Sequence, residues 1–295
     1  MPDRFYIIVS KHCNCHSGKN ALGHEIHISR FILFDLLQKG LIDSNSIIVN
    51  LFRDRFFLYD KYFKNVITYN DYEKNKISNI EEMDLTQYSN NFRNDQIEVF
   101  KNINYHYSHF QKTPFLMTCL NNVNFHNLTS TDICKNKFIL IHTRTRINGN
   151  ENKNLNSLQM TIDKIRSIKN VNIVVFSADL FSVDKLNIQK ENIHFTDNLQ
   201  TYSSFLNNEN CELFISEWSG GGQLSQYFYT GKIIYYFDNY PSHDYEKNYI
   251  NFQNVANEFN NIMNRWDFKN VTECERFYYK TLDQMLENLT TFVSN

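Results

Sequence analysis

The chain has 295 residues, which corresponds to about two domains at roughly 150 residues each. A hydrophobic share of 42% and an aromatic share of 15% exclude wholesale disorder, and eight Gly and three Pro exclude collagen-like and Pro-rich chains. The formal net charge is −2, so we expect no nucleic-acid partner.

No stretch of the sequence approaches the ~18 to 20 apolar residues that a membrane span needs. The best candidate, residues 31–34, is interrupted by Asp35. The first five residues lead directly into a strand-like run and show no signal-peptide architecture. We therefore expect no transmembrane segment and a cytoplasmic location.

A dense Cys/His run at residues 12–16 (HCNCH) raises the question of a metal site. Adjacent side chains in so short a run cannot all converge on one tetrahedral ion, and no second Cys/His pair lies at zinc-finger spacing. The remaining cysteines are scattered singly. We expect no metal ion and no cofactor.

The first half of the chain alternates strand-like and helix-like runs. Strands are predicted at 5–9, 46–50 and 65–69, and a helix between the first two has Leu22, Ile26, Phe31, Phe34 and Leu37 near one face. Gly40 is well placed to end this helix. Residues 73–94 are predicted to be loop or short helix. A polar cluster at 129–132 ends an N-terminal domain, 1–132.

The second half repeats this alternation. Strands are predicted at 138–142, 171–176, 193–195, 213–216 and 232–237, with helices at 154–168, 202–207 and 223–229. These elements define a second domain, 133–270. An amphipathic stripe over 277–293 predicts a C-terminal helix within 271–295. The predicted fold is α/β, with two Rossmann-like parallel sheets facing a cleft and ligands at the carboxyl ends of the strands.

Three loops that follow strands are candidates for ligand binding. The first, Ser17 to Glu25, contains Gly18 and Gly23 but neither the dinucleotide pattern nor a P-loop. Gly23 would let a ligand approach the start of the helix. The alternative interpretation is a structural turn.

The second loop follows the strand at 138–142 and reads His142-Thr143-Arg144-Thr145-Arg146. Arginines just beyond a strand end can bind a diphosphate bidentately. The alternative is a pair of surface arginines in salt bridges.

The third loop carries three consecutive glycines between a strand and a helix. Their backbone amides could line a phosphate or sugar pocket, while serine hydroxyls donate and Glu217 accepts from a sugar hydroxyl. The candidate donor-binding residues here are Ser216, Glu217, Ser219, Gly220, Gly221, Gly222 and Gln223.

The order of these loops resembles that of GT-B glycosyltransferases, most closely the fucosyltransferase superfamily of α1,6- and protein O-fucosyltransferases. In that family an H-x-R motif holds the donor diphosphate, and His142 and Arg144 match it. Ser216 and Ser219 match a later Ser-rich turn. The family motif continues with an Arg and then an acidic residue, and this chain departs from it with Thr145-Arg146-Ile147-Asn148. The resemblance also implies a C-terminal helix that crosses back to the N-terminal domain.

The resemblance implies transfer of a sugar, such as fucose from GDP-fucose, to a hydroxyl of a glycan acceptor. The chain has no D-x-D triplet, so arginines would neutralise the leaving diphosphate without a metal, with Arg144 as the main contributor. The candidates for the general base of an inverting reaction are Glu25 and His24, with His27 less favoured. A nucleotide- or sugar-binding protein without catalysis, and a nucleotide-sugar epimerase, remain alternatives.

Overall fold

A computed structural model describes the part of the chain that carries both sheets. The described residues are 4–9, 25, 29, 33, 36–37, 39–60, 62–85, 135–143, 151–177, 191–217, 220–223, 225, 229, 231–236 and 275–293, with the backbone alone at 151–154, 220, 223 and 276. The chain divides into two compact units, Met1–Asn124 and Phe125–Asn295. The predicted boundary at 132 lies outside the described residues.

The first unit contains a four-stranded parallel sheet in the order β3-β2-β1-β4. Its elements are β1 (Phe5–Ile8), β2 (Ile47–Asn50), a 3-10 helix (Arg53–Leu58), β3 (Asn65–Thr68), α1 (Tyr69–Asn75) and β4 (Glu81–Met83). The strands β1 and β2 are the most buried because they lie inside the sheet, whereas β3 and β4 are its edge strands. The Thr68 side chain caps α1 by accepting from the Asp71 amide.

Two features of the first unit depart from the predicted pattern. Residues 73–94 were predicted to be loop or short helix, but Glu81–Met83 form the edge strand β4 beside β1. Within the predicted first helix, the described residues Glu25, Ser29, Leu33 and Leu36 are buried, whereas Leu37 is only half-buried. Their spacing of four, four and three residues marks one helical face that includes a carboxylate.

The second unit contains a six-stranded parallel sheet in the order β10-β9-β8-β5-β6-β7. Its elements are β5 (Phe138–His142), α2 (Glu151–Ile168), β6 (Asn172–Phe176), β7 (Ile193–Thr196), α3 (Leu199–Leu206), β8 (Cys211–Glu217), α4 (Gly220–Gln223), β9 (Lys232–Tyr236), β10 (Glu275–Tyr279), α5 (Leu282–Asn288) and α6 (Thr290–Val293). If β5 to β10 are renumbered 1 to 6 in chain order, the strand order read from β7 is 3-2-1-4-5-6, which is that of a doubly wound sheet.

Both faces of the second sheet are covered. One face packs against the apolar stripe of α2 and against α5 and α6, through Leu158, Ile162, Met285 and Leu289. On the other face, Phe138 contacts Phe205 and Phe214 contacts Tyr202, which places α3 there. Strands buried on both sides are continuous apolar runs, which is why β5, β6 and β8 are recognisable in the sequence.

The C-terminal segment begins with a strand, which corrects the prediction of a helix over the whole amphipathic stretch. Glu275–Tyr279 pair in parallel with β9, and the helix starts at Leu282, where Thr281 accepts from the Gln284 amide. Three consecutive aromatic residues at 277–279 favour a strand. The helices α5 and α6 pack on α2, and α5 also on β9 and β10. A crossing back to the first unit stays a prediction.

Candidate functional site

The carboxyl ends of β5 and β8 bring His142 and Ser216 together. The two strands are parallel neighbours, and these two residues are register partners. His142 Nδ1 lies 3.1 Å from Ser216 Oγ, and both residues are buried. Strand order reverses between β5 and β8, which is where ligands bind in doubly wound sheets.

The glycine turn, Gly220 to Gly222, lies directly against this pair. A Cβ on Gly221 would stand 2.4 Å from His142 Nε2, and one on Gly222 would stand 2.1 Å from Ser216 Oγ. Neither distance is compatible with a side chain, since the facing groups are themselves buried. Packing against the two strand-end side chains therefore accounts for glycine at both positions, independently of any ligand.

The carbonyl groups of the glycine turn are held by buried hydroxyl groups. Tyr202 donates to the Gly221 oxygen at 3.0 Å, and Tyr235 and Ser225 donate to the Gly222 oxygen at 3.2 and 2.7 Å. Because a trans peptide is planar, each amide points opposite to the carbonyl of its peptide group. The amides of Gly222 and Gln223 consequently point away from the tyrosines of the core.

Aromatic rings confine the imidazole of His142. Phe176 and Tyr202 stack with their ring centroids 4.0 Å apart, and both rings lie near that of His142. Complete burial raises the pKa of Tyr202 well above its ordinary value, with smaller contributions from Tyr235 and Cys211. Tyr202 is therefore a neutral hydrogen-bond donor at physiological pH.

Glu217 ends β8 and brings a nearly fully buried carboxyl group to the same edge of the sheet. Successive side chains of a strand alternate between faces, so Glu217 points to the opposite face from Ser216. Ser216 and Glu217 are adjacent in one sequence motif, but the pleat of the strand places their side chains on opposite faces of the sheet. Together they place polar groups on both faces at the end of β8.

A second polar cluster forms around Glu25 in the first unit. Oε1 accepts from Asn50 Nδ2 at 2.5 Å and from the Tyr59 hydroxyl at 2.8 Å, while Oε2 accepts from Arg55 at 2.5 Å. The Glu25 side chain has no exposed surface and pairs with the guanidinium. This geometry favours a positioning role for Glu25 over the predicted role of general base.

The sequence alone did not connect Glu25 with Asn50, Arg55 and Tyr59. Asn50 is the last residue of β2, and the other two partners belong to the 3-10 helix and the residue after it. A buried strand that ends in an asparagine, followed by an arginine within an apolar stretch, is the one signal that could have indicated the cluster.

The remaining predicted site residues cannot be placed in this geometry. The structure describes Gly220 and Gln223 only as backbone of α4. The others, Gly23, His24, Arg144, Arg146 and Ser219, lie outside the described residues, as does the HCNCH run. In the part of the chain that is described, no three His, Cys, Asp or Glu side chains are grouped as a metal ion would require.

Comparisons with known proteins add a distant structural likeness to solved structures. No protein-family model and no curated protein sequence matches the chain. Among solved structures, it is similar to a crystal structure from Listeria monocytogenes that is provisionally assigned as a UDP-N-acetylglucosamine 2-epimerase. The identity is 8%, the coverage is 99% of this chain and 96% of that chain, and the TM-score is 0.41. None of the described helices combines the length and the apolar character of a membrane span.

Proposed function

We propose that this protein is a metal-independent GT-B glycosyltransferase that uses a nucleotide sugar. One observation carries the proposal: buried polar side chains gather at the carboxyl edge of the second sheet, where its strand order reverses. His142 and Ser216 lie on one face there and Glu217 on the other. Polar groups are buried at a cost, so their concentration at the ligand-binding edge of an α/β sheet favours a binding function.

In the proposed binding mode, the diphosphate of the donor lies beside the glycine turn and Glu217 accepts from a sugar hydroxyl. The amides of Gly222 and Gln223 point away from the core tyrosines and support this mode, because backbone amides of a glycine-rich turn can bind phosphate oxygens. Arg144, two residues beyond His142, and Arg146 would neutralise the diphosphate. Ser219 and Gly23 complete the proposed set of donor contacts.

In the proposed reaction, the acceptor hydroxyl oxygen forms a bond to the anomeric carbon of the donor. The bond from that carbon to the diphosphate breaks, and the nucleoside diphosphate leaves with the electron pair. Arg144 stabilises the growing negative charge, and a base receives the acceptor proton. Because Glu25 is paired with Arg55, we propose His24 as the base. Fucose from GDP-fucose to a glycan hydroxyl is the proposed transfer.

A nucleotide panel tests the binding part of the proposal. The thermal midpoint should rise by several degrees with saturating GDP, UDP, CDP or ADP, and by most with the true donor nucleotide. Glu217→Gln should weaken nucleotide-sugar binding about tenfold, through loss of a charged hydrogen bond. Glu212→Gln changes the same residue type at the other end of β8 and should leave the affinity unchanged. An absence of any shift would contradict the proposal.

Turnover separates the transferase from its alternatives. Slow hydrolysis of the preferred nucleotide sugar should disappear in Arg144→Ala and persist in Arg166→Ala, which removes a half-buried arginine from the last turn of α2. A loss of more than about 100-fold is expected when one contact to developing charge is removed. Formation of an epimeric sugar without acceptor would indicate an epimerase, and binding without turnover would indicate a binding protein.

A further inference from the structure

The hydrogen bond between His142 and Ser216 has a direction that the neighbouring groups determine. Ser216 Oγ lies 2.7 Å from the backbone oxygen of Glu217 and 3.1 Å from His142 Nδ1. A carbonyl oxygen can only accept, so the one hydroxyl proton of Ser216 goes to Glu217. Ser216 can then offer only a lone pair to His142, and Nδ1 has to be the donor.

We propose that His142 is a positioning residue held by Ser216 in the neutral Nδ1–H tautomer. A neutral imidazole carries one proton, so Nε2 is left as an acceptor. Nε2 is also the atom closest to the position that a Cβ of Gly221 would occupy, at 2.4 Å. The unprotonated nitrogen therefore faces the backbone of the glycine turn.

The imidazole can set the position of the turn because its own position is restricted. Phe176 and Tyr202 lie beside the ring, Ser216 holds one nitrogen, and the Tyr202 hydroxyl holds the Gly221 carbonyl. Turn, imidazole and strand end thus form one connected unit. This inference concerns the protein without ligand, so it stands or fails separately from the proposed nucleotide site.

The tautomer is directly measurable. In protein with 15N-labelled histidine at about pH 8, above the ordinary imidazole pKa of about 6.5, long-range 15N–1H spectra distinguish the two nitrogens. We expect protonated Nδ1 and unprotonated Nε2 for His142. The signals are assigned by ring contacts with Phe176 and Tyr202, and independently by their loss in His142→Gln. An Nε2–H form in the wild type would overturn the inference.

Ser216→Ala tests whether the pair positions the turn. Loss of the acceptor should shift His142 toward the Nε2–H form and speed amide exchange of the glycine turn by about tenfold. Ser203→Ala is the matched control, since Ser203 in α3 is equally buried and its hydroxyl bonds to no described residue. Ser203→Ala should change neither the tautomer of His142 nor the amide exchange rate of the glycine turn. An unchanged tautomer or exchange rate in folded Ser216→Ala would overturn the inference, and the wild-type spectrum decides the tautomer even if that variant does not fold.

Discussion

At the scale of single residues, Glu25 shows how burial redefines a group that a sequence suggests as a base. A general base must reach the proton that it removes, whereas Glu25 is enclosed and accepts from three side chains. The ion pair with Arg55 and the two further hydrogen bonds offset part of the cost of burying the carboxylate. The cluster joins Glu25 to the end of β2 and to the 3-10 helix at the carboxyl edge of the first sheet.

Glu25→Gln should lower the local stability of the first unit by about 3 to 5 kcal/mol, because it leaves the Arg55 charge buried without its partner. Native-state hydrogen exchange in peptides from β1 and β2 measures this change. Lys137→Gln removes an exposed ion pair with Glu212 and should cost at most about 1 kcal/mol in the second unit. Equal effects of the two variants would show that the Glu25 cluster is not structurally important.

At the scale of elements, the glycine turn has a packing origin that its sequence does not reveal. Consecutive glycines suggest access for a ligand, but Gly221 and Gly222 are required by His142 and Ser216 beneath them. The two explanations are compatible, because glycines that pack closely on a strand end also have no side chains that would keep a ligand from the backbone. Packing explains the absence of side chains, and the proposed ligand explains why polar groups lie there.

Gly221→Ala should be strongly coupled to His142→Ala in a double-mutant cycle. The added methyl group collides with the imidazole in the wild type but finds space once the ring is removed. We expect a coupling energy of about 1 to 3 kcal/mol. Urea unfolding followed by tryptophan fluorescence reports on the second unit, to which both tryptophans belong. Additive effects would contradict the described contact.

The docking of α5 provides a second test at this scale. Met285 is fully buried against the second sheet and α2, so Met285→Ala should destabilise the second unit by about 2 to 5 kcal/mol. Met160→Ala changes the same residue type at an exposed position of α2 and should stay within about 0.5 kcal/mol. The same fluorescence measurement applies. Equal stability of both variants would mean that α5 does not dock as described.

At the scale of the whole molecule, two parallel α/β sheets occur in one chain. In both of them the first strand lies inside the sheet, with later strands added on either side. This arrangement creates a reversal of strand order in each sheet, between β1 and β4 and between β5 and β8. The candidate site is at the second reversal, which is the position where doubly wound sheets bind their ligands.

Stability should fall on mild acidification, and His194 should contribute to that fall. Burial lowers the pKa of His194, so the folded chain binds this proton less readily than the unfolded chain does. The contribution is fully present above the unfolded pKa of about 6.5 and is lost as the pH falls through and below it. Urea unfolding at a series of pH values should show a shallower loss for His194→Gln. If the unfolding free energies of the wild type and His194→Gln fall in parallel with decreasing pH, this contribution of His194 is contradicted.

How much of this protein could be predicted from its sequence depends on whether the relevant interactions are local. The strands β5, β6 and β8 are continuous apolar runs, and helix α2 has helical spacing of its apolar residues, so each carries its own signal. From these runs the α/β class and the position of His142 and Ser216 at strand ends follow directly. The polar edge strand β4 carries no such signal, because pairing with β1 stabilises it.

Only the tertiary structure decided which distant groups meet. The partners of Glu25 lie 25 to 34 positions away along the chain. His142 contacts Ser216, 74 positions away, and Gly221, 79 positions away. Strand order determines these meetings, and it depends on the free energy of burying all the helices and strands together. The sequence by itself determined that Asn50, His142 and Ser216 end strands and that Gly221 lies in a turn, and packing determined what each of them touches.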